Sequence, residues 1–209
     1  VTVEAITRAA QAEAERLLGA PVDPAEPVTD PVGDADPLDR LPDWLLDHVA
    51  FLRAPLSALR GDPAEINANA AKLRAAATDM LAVAAEQAND DMATLGRAID
   101  ATATITVLTG TLVHRTRAVA FGMVAALVTD LARGALLAEA TAQDTSGGSI
   151  AVFTGNARAR AVATATLLHT RITALVAALA RQAARLTELD ELMNALNYER
   201  GPAGAGPLS

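Results

Sequence analysis

The sequence predicts an all-α protein, an elongated helical bundle built on long antiparallel helical hairpins. Three observations predict it. Of 209 residues, 51% are hydrophobic, and that fraction is rich in alanine, the strongest helix former. Aromatic residues make up only 2%, too few for the core of a typical β-sandwich. Apolar residues recur at alternating spacings of 3 and 4 over long stretches, the pattern of a helix face that meets another helix. The small side chains allow thin, closely spaced helices.

Residues 2–18 read as a short amphipathic helix with Val3, Ile6, Leu17 and Leu18 as its larger apolar residues. Residues 19–41 hold Pro21, Pro24, Pro27, Pro31 and Pro37 among many Asp. Proline fixes φ and removes a donor, so this is an extended linker or a loop draped over the surface, and the clearest boundary in the chain. Pro42 opens the next helix, which carries Trp44, Val49, Phe51, Leu52, Leu56 and Leu59 and ends by Gly61; Pro55 kinks or splits it. In Gly61-Asp62-Pro63, Gly ends one helix, Asp caps the next and Pro takes its first turn.

A long helix then carries the stripe Ile66, Ala70, Leu73, Ala77, Met80 and Ala84. Asp90-Asp91 reads as a solvated turn. A second stripe runs from Met92 through Leu95, Ile99, Leu108, Leu112, Val119 and Met123 toward Leu136. Thr104–Leu108 is β-branched enough for a strand, but helix is preferred because no convincing partner strand exists. Residues 143–156 read as a loop or turn. A final helix from about Asn156 to Tyr198 carries the most regular stripe: Leu168, Ile172, Leu175, Leu179, Leu186, Leu189, Met193 and Leu196. The expected organisation is a helix at 1–18, a linker at 19–41, a bundle domain at 42–198 and a flexible tail at 199–209.

Composition narrows the chemistry. There is no Cys, one lysine (Lys72) and three His, and net charge is −8. An acidic chain is a poor ligand for nucleic acid or for anionic membrane surfaces. Without Cys there is neither disulfide nor thiolate chemistry. His48, His114 and His169 lie in predicted helices without a His partner at i+4, and read as surface or half-buried side chains rather than metal ligands. Gly147-Gly148-Ser149 is no nucleophile elbow, and Lys72 follows no glycine run. No catalytic residue, cofactor or metal is expected. The best apolar run, Ala118–Thr129, is bounded by Arg117 and Asp130 and is shorter than the roughly 20 residues of a membrane span. Glu4, Glu13 and Glu15 in the first helix exclude a secretory signal there. A start at Val1 rather than Met points to a fragment or a processed form. Most apolar stripes are expected to bury one another. Trp44, Phe51, Leu52 and Leu56 are unusually bulky for this chain and are the candidate contact anchors for a partner.

The segment Leu41–Ala77 resembles actinobacterial WXG-like domains, the helical modules of type VII (ESX) secretion proteins and of the N-terminal parts of their large effectors. The resemblance rests on Gly61-Asp62-Pro63, the apolar Ile66 and the pair Leu73-Arg74. In specific motif it covers about 41–77, and in helical architecture roughly 41–198. The family usually has Trp where this chain has Leu73. Its W-x-G turn would fall near Met92-Ala93-Thr94, where neither Trp nor Gly stands, and its Y-x-x-x-D/E export signal is incomplete, since Pro202 stands four residues after Tyr198. The resemblance implies a non-enzymatic protein that binds a small WXG-type helical partner or another copy of itself. It would be secreted or held in the cell envelope, or else remain cytoplasmic. The alternatives are a stand-alone helical scaffold that binds a ligand near His114 or His169, and a membrane-active protein inserting Ala118–Val128.

Overall fold

The computed structural model describes residues 2–33 and 35–199. Six α-helices occur there, α1 (Val3–Leu18), α2 (Asp43–Val49), α3 (Arg53–Ala58), α4 (Pro63–Gln87), α5 (Asp90–Ala140) and α6 (Gly148–Glu199), with no strand among the described residues. The all-α architecture built on long helical hairpins is therefore present. Residues 200–209 of the expected tail, including Pro202 of the Y-x-x-x-D/E position, lie outside the described residues, and Glu199 ends α6.

The chain divides into two compact units. One comprises Val1–Thr29, Asp62–Leu112 and Val176–Ser209; the other comprises Asp30–Gly61 and Val113–Leu175. Residues 19–29 fall in the first unit and residues 30–41 in the second. α5 and α6 each contribute to both.

In the first unit, α1 starts at Thr2, whose hydroxyl accepts the Ala5 N–H, and stops at Gly19 in the left-handed region. The proline-rich stretch that follows is packed. Val22 and Val28 are buried. The Asn67 side chain pairs with both backbone groups of Val28, donating to its carbonyl and accepting its N–H, each at 2.8 Å. Arg74 donates to the carbonyl of Pro24. Backbone groups that proline spacing keeps out of regular structure are thus satisfied by side chains of α4.

Asp62 caps α4 as its spacing predicts, accepting from Ala64 and Glu65 at 2.8 and 3.2 Å, with Pro63 in the first turn. The α4 stripe faces inward, with Ala70, Ala77 and Ala84 buried. The turn into α5 is Ala88–Asn89; Ala88 has φ 48, and the Asn89 side chain accepts the Met92 N–H at 3.0 Å. Asp90 and Asp91 occupy the first turn of α5, where negative charge suits the helix dipole. The hairpin is tight because α5 carries glycine at the contacts. A Cβ on Gly96 would lie 2.9 Å from Leu81, and one on Gly110 would lie 3.0 Å from Ile66.

The threonine-rich run is helical. Thr102, Thr106 and Thr109 each donate a hydroxyl to the carbonyl four residues back, at 2.8–2.9 Å, which satisfies their polar groups within the helix.

In the second unit, the helix expected from Pro42 is split into α2, a 3₁₀ turn at Ala50–Leu52, and α3. Pro55 has no N–H for the carbonyl of Phe51 and crowds it, so the break falls one turn before the proline. Leu38, Leu45, Val49 and Leu52 are fully buried, with Val124, Val128, Leu131, Ala157, Ala161 and Leu168 also in the core.

α6 begins at Gly148, eight residues before the expected start. Ser146 and Gly147 turn the chain through positive φ. The Thr145 hydroxyl then accepts the Ser149 N–H at 3.1 Å, and the Ser149 hydroxyl donates to Ala138 at 2.8 Å. Ser149–Phe153, within the stretch expected to be a loop or turn, joins the helix, and Phe153 fills the notch left by Gly134. Asp130 and Arg160 pair across the same antiparallel contact at 2.7 Å.

Candidate functional site

The four expected contact anchors have different fates. Leu52 is 0% exposed and belongs to the core, so it presents nothing to a partner. Trp44 is half-buried; its ring meets Phe153 edge-on with centroids 6.2 Å apart, and its indole N–H donates to Glu139 at 2.9 Å. Leu56 is half-buried on a pocket wall. Phe51 alone is exposed, at 45%. Bulk in an alanine-rich chain marks core positions here as much as contacts, because large side chains are what a sparse core most needs.

The apolar surface the sequence did not single out lies at the end of the α5–α6 hairpin. Leu136, Leu137 and Val152 are 68%, 71% and 69% exposed. Leu137 and Val152 border an open groove of 810 Å3 formed also by Gly134, Ala138, Thr141 and Phe153, with no charged residue along it. Phe153 forms its base, close against Gly134 and edge-on to Trp44. Leu136, toward which the second apolar stripe runs, is exposed together with its neighbour Leu137 rather than packed on another helix.

The resemblance residues are spread through the fold rather than gathered at a site. Asp62 and Pro63 start α4. Ile66 packs on a small cluster of Val28, Ala70 and Val107. Leu73 is half-buried, and Arg74 holds Pro24. Gly61 stands beside His114, where a Cβ would lie 3.4 Å from the imidazole Nε2.

Two buried polar clusters escaped the sequence reading. In the first unit, the Glu13 carboxylate receives Arg181 at 2.6 Å, Arg185 at 3.0 Å and Arg16 at 3.2 Å. Burial pushes its pKa up, but the hydrogen bonds and charges of Arg181 and Arg185 more than offset this and hold it below the ordinary value. Beside it Gln182, 0% exposed, donates to the Ala10 carbonyl at 3.0 Å, while its own Oε1 is buried without a partner. The trace in the sequence was the gap of seven between Leu179 and Leu186: Gln182 occupies the missing position of the stripe.

In the second unit, Arg117 is 5% exposed and binds the Asp30 carboxylate and the Gly33 carbonyl. Burial raises the pKa of Asp30, and the Val32 N–H, the charges of Arg117 and His114, and the Gly33 N–H together bring it below the ordinary value. His114 is buried, whereas His48 and His169 are exposed. No cluster of three or more potential metal ligands occurs among the described residues.

By length and composition, α5 and the Gly148–Leu196 part of α6 each contain an 18-residue window apolar enough to cross a membrane, 33% and 17% buried respectively. The uninterrupted run Ala118–Thr129 is shorter, because Arg117 and Asp130 bound it. No protein-family model, curated protein or solved structure matches the chain.

Proposed function

We propose that this chain is a non-enzymatic helical protein associated with type VII (ESX) secretion, acting as a secreted protein or the N-terminal module of an effector through helix-face contacts. The observation that carries the interaction reading is the uncharged groove at the end of the α5–α6 hairpin, rimmed by Leu137 and Val152. Large exposed aliphatic side chains over an aromatic base suit the apolar stripe of a small helical partner. The resemblance of Leu41–Ala77 to WXG-like domains supplies the secretion context and favours a WXG-type partner or a second copy.

The test is light scattering after size exclusion of the chain alone and co-expressed with small helical proteins encoded beside it. A stoichiometric complex that Leu137→Asp and Val152→Asp abolish, while Phe51→Asp preserves it, is the expected result. Monomeric mass in every combination would sink the reading. The alternative of a membrane-active protein draws on the apolar windows of α5 and α6. Leakage of zwitterionic vesicles by the chain without any partner would favour it.

A further inference from the structure

The outer face of α6 is apolar and uncovered. The most apolar 18-residue window of this helix is only 17% buried, although a helix that is apolar on every side is one that something covers. α6 packs through Ala157, Ala161, Leu168, Leu175, Ala178 and Leu189, which are buried. The opposite face is exposed and runs through Val162, Thr166, Thr170, Thr173, Ala177, Ala180 and Ala184. Thr166 and Thr170 donate their hydroxyls to the carbonyls of Val162 and Thr166, at 3.0 and 3.1 Å, so these polar groups are satisfied within the helix. The face carries no charge over this span. Arg160, Arg171, Arg181 and Arg185 fall on one flank by the 3.6-residue period, and three of them are turned onto Asp130 and Glu13.

Two features of the face select its occupant. The first is charge. Beyond one end stands Arg158 and beyond the other stand Glu188 and Glu191; all three are exposed and make no ion pair among the described residues. A second α6 laid antiparallel brings Arg158 of each copy beside Glu188 and Glu191 of the other. A parallel one sets like charge against like, and the hydrocarbon of a membrane offers neither end a counter-charge. The second feature is size. The β-branched side chains occupy the first half of the face and alanines the second. With Thr173 opposite itself, Thr170 meets Ala177, Thr166 meets Ala180 and Val162 meets Ala184. Each larger side chain then lies against a smaller one, which lets the two helix axes approach to about 8 Å. We propose that this face binds a second copy of the chain, α6 against α6 in antiparallel orientation, centred on Thr173. The inference is independent of the groove at the hairpin end and of the secretion reading.

The chain has no cysteine, so introduced thiols report the pairing directly. A disulfide needs Cα atoms about 4.4–6.8 Å apart. Under mild oxidation of the full chain, Thr173→Cys should form a disulfide-linked dimer. Val162→Cys and Ala184→Cys should each stay monomeric alone and join one another when mixed. All three positions are exposed, so the variants keep the fold, which circular dichroism checks. Arg158→Glu should slow the Thr173→Cys crosslink about threefold or more, and Glu188→Arg with Glu191→Arg in the same chain should restore it. Leu137→Asp, in the groove, should leave the crosslink unchanged. The proposal is overturned if Thr173→Cys forms no dimer, if it binds zwitterionic vesicles without crosslinking, if Val162→Cys crosslinks alone as fast as with Ala184→Cys, or if Arg158→Glu has no effect.

Discussion

Replacing Glu13 by alanine removes the carboxylate that ties α1 to α6 within the first unit. The loss can be apportioned from the geometry. Arg181 is 48% exposed, so its pair contributes about 0–1 kcal/mol after solvent screening. Arg185 is 17% exposed and donates to Glu13 at 3.0 Å, a charge-assisted bond of about 1.5–3 kcal/mol. Arg16 is 69% exposed and adds little. The expected destabilisation is therefore about 2–4 kcal/mol, dominated by Arg185 left unpaired. Glu13→Gln retains an acceptor oxygen and should lose about half as much. Urea unfolding followed by circular dichroism measures the total, and amide exchange in α1 shows whether the loss is local. A double-mutant cycle with Arg185→Met isolates the pair, and a coupling below about 0.5 kcal/mol would refute the assignment. Acidity provides a second check. The folded pKa of Glu13 lies below its ordinary value of 4.5, so its contribution is complete above that pH and disappears as pH falls through the depressed value. The stability gap between wild type and Glu13→Gln should narrow on that descent and stay constant at higher pH.

Three further outcomes follow from local packing. Gln182→Leu completes the α6 stripe and removes a buried oxygen that has no partner, at the cost of one hydrogen bond to Ala10; it should be neutral or stabilising by up to about 1 kcal/mol, and a lowered urea midpoint would count against it. Gly134→Ala would put a Cβ 2.3 Å from the Phe153 ring, so thermal denaturation should reveal a loss of about 1–3 kcal/mol, relieved by Phe153→Leu in the same chain. Leu52→Asp buries a charge in the core and should unfold the second unit, whereas Leu137→Asp, on a side chain 71% exposed, should shift the midpoint by no more than about 0.5 kcal/mol; equal effects would show that the two positions are misassigned.

Periodicity made most of the helices legible. The alanine stripe of α4 and the leucine stripe of α6 point inward as spacing predicts, and Asp62-Pro63 starts α4 because capping is a local property. What composition hid was tertiary. The proline-rich segment looks unstructured by propensity, yet Asn67 and Arg74 satisfy its backbone from 39 and 50 residues away. Residues 149–153 lie in the stretch expected to be a loop or turn, yet they join α6 and deliver Phe153 to the notch at Gly134. Of the surface anchors, only Phe51 kept the exposure expected of it, since the helix carrying them is split and its inner turn buries Leu52. Glu13, Gln182 and Arg117 were unremarkable polar residues in the sequence; their burial depends on partners in distant parts of the chain.

The grip of Asn67 on Val28 has an evolutionary consequence. The amide engages the main chain of residue 28 and is indifferent to the side chain there. That side chain is constrained from elsewhere, because a Cβ on Gly110 would lie 3.1 Å from the Val28 Cγ2. Positions 28 and 110 therefore share one volume. Lineages that enlarge one must shrink the other, so the two should covary in size, while position 67 must keep both a donor and an acceptor whatever its neighbours become. Aspartate there loses the donor, and serine is too short to span both groups. A sequence drift that preserves the amide at 67 and trades bulk between 28 and 110 would keep this proline-rich segment in place even after its composition had changed beyond recognition.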